Sequence, residues 1–391
     1  MSTHPDYGPA PSFTYMPALD GMRALCILMV MISHYGMPTL LPGGLGVTVF
    51  FFISGFLITR QLLAERASTG RIDLIAFTLR RQCRLYPALL VMILLSGFGF
   101  MALGGAMQVH RWLAAFFYYY NYFDLTQMAV ANRDSPFNVL WSLAVEEHYY
   151  LVFPFLVFLL GTCEKRFARI LLLAIVAVTL WRGAVASSCS VDGALCWGDP
   201  QSQAEAATDT RLDSILYGAW LATALAADTR GRLLRLLCHP VSVALGLLLL
   251  ALSLATRDEL FRQSLRYTLQ GIALTPLVSA VLFNGDFHLA RTALSHPLMR
   301  LAGRLSYSLY LWHWTLAVAL LQLRFGAVDP HTPQSALLLR EAAPALIILS
   351  FAVAALSYYG VERPMLALRR RFGSHAVAER SLSTAPALPA E

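Results

Sequence analysis

Long apolar stretches recur along the whole chain, and they limit the fold class before any motif is considered. A helix needs about 20 mainly apolar residues to cross the hydrocarbon core of a bilayer, where it must satisfy its own backbone hydrogen bonds. Only 14% of the 391 residues are charged, whereas about 25% is typical of soluble proteins. The pattern predicts an all-α polytopic membrane protein, a bundle of ten transmembrane helices at 18–37, 45–63, 85–106, 138–160, 168–186, 211–227, 241–256, 267–283, 305–323 and 342–361.

Two further stretches complete the predicted organisation. Residues 112–123 are apolar and rich in aromatic rings, but they are too few to cross the core, so we expect an interfacial helix there. Residues 372–391 are rich in Ala, Ser and Pro, which predicts a disordered cytoplasmic tail. The chain is therefore expected to hold one membrane domain, residues 1–371, followed by that tail.

Basic residues divide unevenly between the two sides of the predicted bundle. With the N-terminus inside, 21 of the 30 Lys and Arg residues fall on the cytoplasmic side, a bias typical of membrane proteins. Both termini are then cytoplasmic. The same bias accounts for the net charge of +7, so the positive charge predicts no nucleic-acid partner.

The first apolar segment contains Arg23 and His34, eleven positions apart. At about 100° per residue this spacing comes to three turns plus roughly 20°, so both side chains point the same way, about 16 Å apart along the axis. An ionisable side chain within a membrane helix is costly and is a functional candidate by default. The alternative is that Arg23 anchors the helix at the interface and that a neighbouring helix satisfies His34.

Glycines and arginines mark the next two segments. The four glycines in PGGLGVTVFFFISGFLITR are Gly43, Gly44, Gly46 and Gly55. They permit either close helix packing or a backbone near a narrow ligand.

In RRQCRLYP, the side chains of Arg80, Arg81 and Arg84 can share one helix face at the cytoplasmic surface. Three guanidinium groups there suit bidentate phosphate binding, and topogenic charge or lipid headgroups are the alternative.

The WSLAVEEHYY motif places two adjacent carboxylates, Glu146 and Glu147, near the outer end of the fourth segment. Carboxylates at this depth are costly unless they are paired or hydrated. Because successive helix residues point about 100° apart, one can face the bundle and the other water. An inward Glu can serve as an acid, a base or an orienting partner of a His, and simple interfacial placement is the alternative. Trp141 and Ser142 of the same motif complete this part of the candidate site.

Three more segments carry polar side chains in or beside the membrane. Arg211 and Asp213 open the sixth segment and can pair with each other or with the glutamates. The ninth segment contains Tyr310 and a second imidazole, His313, and the last segment ends at Glu362 on the cytoplasmic face. All five residues are added to the candidate site.

The six cysteines predict no metal site, because their spacing matches no metal-binding pattern. Cys189 and Cys196 share the one long outer loop, where oxidation is possible. A disulfide between them and two free thiols are both compatible with the sequence.

Taken in order, these motifs resemble the acyltransferase 3 family of integral membrane acyltransferases, which modify hydroxyls on glycans and some antibiotics. The matching pieces run from LDGMRA at 19–24 to VERP at 361–364. They include the Arg–x10–His pair, GGLGVTVFFFISGFLI, RRxxRLYP, WSLAVEEHYY, TRLDSILYG and SYSLYLWH. One departure is His148, which stands where Gln or Phe is more usual in the family, and this weakens any role assigned to that position.

The resemblance implies a ten-helix bundle that takes acyl groups from cytoplasmic acyl-coenzyme A, with no bound cofactor. It implies that His34 is the catalytic imidazole, that Arg23 is its partner, and that Arg80 and Arg84 contact the donor phosphates. Glu147, ahead of Glu146, is the candidate that orients the imidazole or binds acceptor hydroxyls.

The predicted protein is thus an O-acyltransferase of the bacterial inner membrane, most simply an acetyltransferase. Its partners would be acyl-CoA, the lipid bilayer and a hydroxyl of a glycan or glycosylated small molecule. Direct transfer and a transient acyl group on the catalytic imidazole both fit the sequence. A transporter or flippase that uses the same charges, and a membrane scaffold with a degenerate site, are the alternatives.

Overall fold

The structure, a computed structural model, describes residues 15–40, 42–127, 135–191, 193–198, 200–326, 329 and 332–369. Within these ranges every secondary-structure element is helical, as the all-α prediction requires. The predicted disordered tail, residues 372–391, lies outside the described residues.

The helices follow the chain in a simple order. They are α1 Pro17–His34, α2 Gly43–Thr69, α3 Leu74–Ala102, α4 Val109–Phe116, α5 Tyr120–Gln127, α6 Leu140–Leu160, α7 Glu164–Val191, α8 Pro200–Ala206, α9 Thr208–Arg211, α10 Asp213–Ala227, α11 Arg232–Leu237, α12 Pro240–Ala255, α13 Glu259–Ser264, α14 Arg266–Phe283, α15 His288–Leu294, α16 Pro297–Phe325, α17 Pro333–Ser357 and α18 Arg363–Arg369. A 3₁₀ turn, Gly285–Phe287, precedes α15, and a π-helical turn, Tyr358–Glu362, joins α17 to α18.

By length and apolar composition, six of the described helices can cross a membrane, namely α1, α2, α3, α6, α7 and α17 with its continuation. The α14–α15 pair, bent by 82°, makes a seventh if it is counted as one span. Each of the ten predicted segments lies mainly on a separate helix, but α10 and α12 have only 15 and 16 residues. At 1.5 Å per residue they reach about 22 to 24 Å, less than the ~30 Å core. The count of ten transmembrane helices therefore stays a prediction.

The prediction of a single continuous interfacial helix over 112–123 is wrong. The structure has two short helices here, because α4 ends at Phe116 and α5 begins at Tyr120. Between them Tyr118 has a φ of 56°, in the left-handed region. A residue in that conformation cannot continue a right-handed helix, so the chain turns at this point.

Local capping explains where several helices begin and end. The Asp73 side chain accepts a hydrogen bond from the Ala76 backbone N–H at 2.8 Å and caps the start of α3. Gly70 has a φ of 74° and ends α2, and its N–H donates to the Arg66 carbonyl at 2.8 Å. Proline occupies the first turn of α1, α12, α16 and α17, where its missing N–H costs nothing.

A disulfide closes the loop after α7. Cys189 and Cys196 are bonded, with their Cα atoms 5.2 Å apart, so the structure selects the bridged alternative. The bond ties the end of α7 to the segment that leads into α8.

The interior is organised around α1, which packs between α2 and α16, while α2 also packs along α10. The α2–α10 contact is made backbone to backbone. A Cβ atom on Gly55 would lie 1.9 Å from the Ile215 carbonyl oxygen, and one on Gly218 would lie 1.9 Å from the Phe52 carbonyl oxygen. Gly43 and Gly46 likewise face α1 closely, so the packing interpretation holds for these glycines.

We therefore expect Gly55→Ala and Gly218→Ala each to destabilise the bundle by about 1–3 kcal/mol, because a methyl group would separate the two backbones. Thermal unfolding of the purified protein in detergent measures the effect. Gly183→Ala in α7 is the matched control, because no atom lies within 4 Å of its added Cβ. It should be neutral or slightly stabilising, and equal losses in all three variants would contradict the packing argument.

Candidate active site

Two histidines meet at one end of the α1–α16 interface. His34, the last residue of α1, has its Nδ1 atom 2.9 Å from the Nε2 atom of His313 on α16. The two rings are stacked, with centroids 5.1 Å apart and planes 11° from parallel. The Trp314 ring packs edge-on against His34. His34 is thus satisfied by a neighbouring helix, and its partner is a second imidazole.

The surroundings of His313 decide which nitrogen carries each proton. Its Nδ1 atom lies 3.0 Å from the Leu309 carbonyl oxygen and 2.9 Å from the Tyr310 carbonyl oxygen. Carbonyls only accept, so Nδ1 of neutral His313 must be protonated and Nε2 must be the acceptor. His34 then donates from Nδ1, which leaves the lone pair on His34 Nε2. This is the arrangement that a general base requires.

A third helix holds His313 in place. The Tyr35 hydroxyl donates to the His313 carbonyl at 3.2 Å and lies 2.7 Å from the Ser350 hydroxyl of α17. Tyr35, Ser350 and His313 are all essentially inaccessible to solvent. The histidine pair therefore sits on a rigid support formed by α1, α16 and α17.

Below the histidine pair, α1, α2, α3, α6 and α16 enclose a central cavity of about 810 Å³, including its open mouth. The polar and charged residues that line it are Arg23, Ser54, Gln61, Arg81, Arg84, Ser142, Glu146, Tyr150, Ser306, Tyr307 and Tyr310. Arg23 faces this cavity together with residues of α16, and His34 contacts α16 eleven residues further along α1. The two side chains therefore lie on the same side of α1, as the spacing predicts.

The two adjacent glutamates go to different places: Glu146 is partly buried and Glu147 is buried. Glu146 lines the central cavity and accepts hydrogen bonds from the Ser54 hydroxyl at 2.8 Å and the Tyr150 hydroxyl at 3.2 Å. Glu147 is buried and accepts from the Gln82 side-chain amide at 3.0 Å, and its other oxygen has no hydrogen-bond partner among the described residues. His313 makes a hydrogen bond with His34. The role predicted for Glu147, to orient the imidazole or to bind acceptor hydroxyls, stays a prediction.

The three arginines of α3 also differ from one another. Arg80 is buried and forms an ion pair with Glu65 of α2, at 2.8 Å. Arg81 donates to the Gln61 side chain at 2.6 Å and lines the central cavity, as does Arg84. They share the α2 side of α3 as expected, but only Arg81 and Arg84 reach the cavity.

The remaining motif residues support the cavity wall. The Tyr310 hydroxyl donates to the Val139 carbonyl at 3.0 Å and lies 2.7 Å from the Ser142 hydroxyl. Trp141 packs edge-on against Phe51 of α2. These contacts join α6 to α16 and α2.

Glu362 reaches the bundle interior from the π-helical turn between α17 and α18. It is buried and accepts a hydrogen bond from the Ser308 hydroxyl of α16. It is the final residue of the π-helical turn, a feature that often occurs at functional positions because the extra residue turns side chains inward.

Arg211 and Asp213 do not pair with each other or with the glutamates, contrary to the two pairings considered. Asp213 forms an ion pair with Arg182 of α7 at 2.9 Å, and both side chains are completely buried. Arg211 donates to the Thr48 hydroxyl at 2.8 Å and stacks on Tyr267, with its guanidinium carbon 3.6 Å from the ring centroid. Sequence reasoning missed Arg182, although it lies within a predicted span and the rule applied to Arg23 would have identified it.

Comparison with known proteins places the chain in a family. The acyltransferase 3 family model, described as an acyltransferase domain, matches residues 16–359. "Putative O-acetyltransferase SAS0844" of Staphylococcus aureus strain MSSA476 is 31% identical over 315 residues, which are 77% of this chain and 50% of that protein. O-acetyltransferase OatA of Staphylococcus aureus strain NCTC 8325 / PS 47 is 32% identical over 317 residues, which are 78% of this chain and 51% of that protein.

The chain therefore belongs to the acyltransferase 3 family, as its motifs predict. It spans about half the length of the curated relatives that it matches. No solved structure matches it significantly.

The Arg182–Asp213 ion pair generates a stability prediction. Arg182→Met should cost about 3–5 kcal/mol, because it leaves the Asp213 carboxylate buried without its counter-charge. Arg182→Met combined with Asp213→Asn should recover part of this loss, since neither charge then remains. Thermal unfolding in detergent measures these two variants and Asp213→Asn alone, with Arg166→Met on the exposed side of α7 as the matched control. Strictly additive losses would show that the two charges are not coupled.

Proposed function

We propose that this protein is an O-acyltransferase of the bacterial inner membrane. It moves an acyl group, most simply acetyl, from cytoplasmic acyl-CoA to a hydroxyl of a glycan or glycosylated small molecule. Membership of the acyltransferase 3 family and the O-acetyltransferase names of its relatives support the class of reaction. The observation that carries the mechanism is the hydrogen bond from His34 to His313, which leaves a basic nitrogen on His34.

The central cavity supplies the donor side of this proposal. Arg81 and Arg84 lie at the end of the cavity that the positive-inside bias assigns to the cytoplasm. Their guanidinium groups have paired N–H donors that suit the phosphates of coenzyme A. Arg23 and His34 lie about 16 Å apart along the axis of α1. The extended pantetheine chain would span this distance and bring the thioester towards the histidine pair.

A polar group along the cavity would hold that chain. The Ser306 hydroxyl is buried, lines the cavity and has no hydrogen-bond partner among the described residues. This hydroxyl suits an amide of pantetheine, which needs a partner once water is excluded.

The transfer step follows from the protonation pattern. The acceptor hydroxyl attacks the thioester carbonyl while His34 Nε2 takes its proton, and His313 Nε2 holds the imidazolium through the Nδ1–H bond. The tetrahedral intermediate then expels the thiolate of coenzyme A, and His34 returns the proton to that sulfur. The products are the O-acyl ester and free coenzyme A. An imidazole can accept a proton at one step and return it at the next, as both transfers require.

The first test removes the proposed base, His34. In cells that lack the gene, wild type should restore alkali-labile O-acetate on surface glycans and small glycosides, measured by mass spectrometry, and His34→Ala should not. An initial rate of O-acetylation above about a tenth of the wild-type rate, a barrier change below ~1.4 kcal/mol, would show that His34 is not the base.

His313 tests the positioning role within the same assay. His313→Leu should lower the O-acetate level by about tenfold or more, because His34 loses the acceptor that orients it. His313→Gln should recover part of that loss, since its amide oxygen can still accept from Nδ1. Protein level and melting temperature are measured in parallel, and equal effects of Leu and Gln would contradict a hydrogen-bonding role.

The donor site gives a separate prediction. Purified protein should bind coenzyme A saturably, and Arg84→Ala should weaken binding by about 1.5–3 kcal/mol, the scale of a hydrogen bond to a charged group. Arg84→Lys should recover only part of the affinity, because an ammonium keeps the charge but lacks the paired N–H donors of the guanidinium. Isothermal titration calorimetry measures each variant, and His34→Ala should bind as wild type does.

Arg80 provides the contrast, because its guanidinium is engaged by Glu65. We expect Arg80→Ala to weaken coenzyme A binding less than Arg84→Ala does. Absence of saturable binding in well-folded protein would favour a transporter or scaffold and would end the acyltransferase proposal.

A further inference from the structure

A second cavity, of about 800 Å³, opens at the end of the bundle that carries His34. It lies between the end of α1, the start of α2, α8, the end of α12, α13 and the start of α14. Charged and polar groups dominate its lining, among them Ser33, Glu205, Arg257, Arg262, Arg266 and Gln270. None of its charged residues belongs to the proposed donor site or the histidine pair.

The cavity has an excess of positive charge. Arg257, Arg262 and Arg266 line it against one carboxylate, Glu205. The two ion pairs formed by described residues lie elsewhere, so no ion pair within 4 Å involves these arginines in that part of the chain. Arg266 donates to the Tyr267 hydroxyl at 2.7 Å, and its Nε atom is buried with no hydrogen-bond partner among the described residues. The lining therefore carries a net positive charge that suits an anionic ligand.

The floor of the cavity adds to the same imbalance. Arg211 lies beneath Tyr267, 3.6 Å from the ring centroid, and is almost completely buried. Its Nε atom also has no hydrogen-bond partner among the described residues. Asp213 is held in an ion pair with Arg182, and Arg211 forms no ion pair within 4 Å among the described residues. The positive charge of this group of arginines attracts an anion.

Other groups in the cavity indicate a ligand that carries hydroxyls as well as an acid. The Glu205 carboxylate lines the cavity and forms no ion pair within 4 Å among the described residues. A carboxylate repels a bare phosphate or a lipid headgroup, but it accepts hydrogen bonds strongly from sugar hydroxyls. Ser33 and Gln270 provide further neutral hydrogen-bonding groups.

The position of the cavity relates it to the transfer step. Ser33 lines it and immediately precedes His34, so the cavity and the histidine pair occupy adjacent faces at the same end of α1. The central cavity approaches His34 from the opposite end of the helix. A donor and an acceptor held in the two cavities would thus converge on one end of α1.

We infer that this second cavity binds the acyl acceptor, and that the acceptor is an acidic saccharide bearing carboxylate or phosphate groups. The inference rests on the proposed function, because it assigns the acceptor of that reaction. Arg262 and Arg266 bind the acid, and Glu205 accepts from the hydroxyls of the same sugar.

Calorimetry on the full chain in phosphatidylcholine nanodiscs tests the inference with four probes. Trigalacturonate carries carboxylates, galactose 6-phosphate carries a phosphate, maltotriose is neutral, and inorganic phosphate lacks the sugar. We expect one or both acidic sugars to bind at least about tenfold more tightly than maltotriose and inorganic phosphate, the scale of one charge-assisted hydrogen bond. The acidic sugar that binds shows whether the site prefers a carboxylate or a phosphate.

Variants locate the binding. Arg262→Gln and Arg266→Gln should each weaken the acidic sugar at least about tenfold. Arg324→Gln, an exposed arginine at the end of α16 outside the cavity, should have no effect. Should either cavity variant fail to fold, Arg262→Lys, which keeps the charge but not the fork, provides the second measurement and should give an intermediate affinity.

Each outcome decides the inference. The inference is overturned if neither acidic sugar binds saturably up to about 10 mM, a concentration well beyond millimolar affinity. It is also overturned if maltotriose or inorganic phosphate binds as tightly as the acidic sugars, or if the cavity variants keep the wild-type affinity. Coenzyme A binding is measured on the same preparations. Donor binding without acidic-sugar binding would overturn this inference and leave the proposed function intact, whereas the reverse would refute the acyltransferase and retain an acidic-saccharide site.

Discussion

The close approach of α1 and α16 is the contact on which the candidate site depends. A Cβ atom on Gly303 of α16 would lie 2.0 Å from the Asp20 carbonyl oxygen of α1. Without a side chain at this position, the two helix backbones come into contact at one end of the interface. The same packing brings His34 and His313 within hydrogen-bonding distance at the other end. A wider separation would break the relation between the two imidazoles.

Charge pairing inside the bundle separates arginines that maintain the fold from arginines that face cavities. Arg80 and Arg182 are held in ion pairs with acidic side chains of neighbouring helices. Arg23 and Arg84 instead line the central cavity. Since a buried charge is costly unless it is paired or solvated, the unpaired arginines mark the places where ligands are expected. The proposed donor and acceptor sites both follow from this distinction.

Much of the fold was accessible from the sequence, because it depends on local patterns. Apolar runs predict helices wherever they occur, and the described elements are all helical. The eleven-residue spacing of Arg23 and His34 correctly predicts a shared side of α1, since it follows from the helical period alone. Helix continuity is less local: one residue with positive φ, Tyr118, divides the aromatic stretch that was expected to be a single helix.

The sequence by itself determined the helical class, the order of the motifs and the face on which each side chain lies, because these follow from residue type and a fixed 3.6-residue period. Only the tertiary structure decided which side chains meet. Asp213 pairs with Arg182, and His34 pairs with His313. The two histidines are 279 residues apart in the chain, and their contact depends on helix packing that no local pattern encodes. The protonation of His34 follows from that packing in turn, because two backbone carbonyls of α16 set the tautomer of His313.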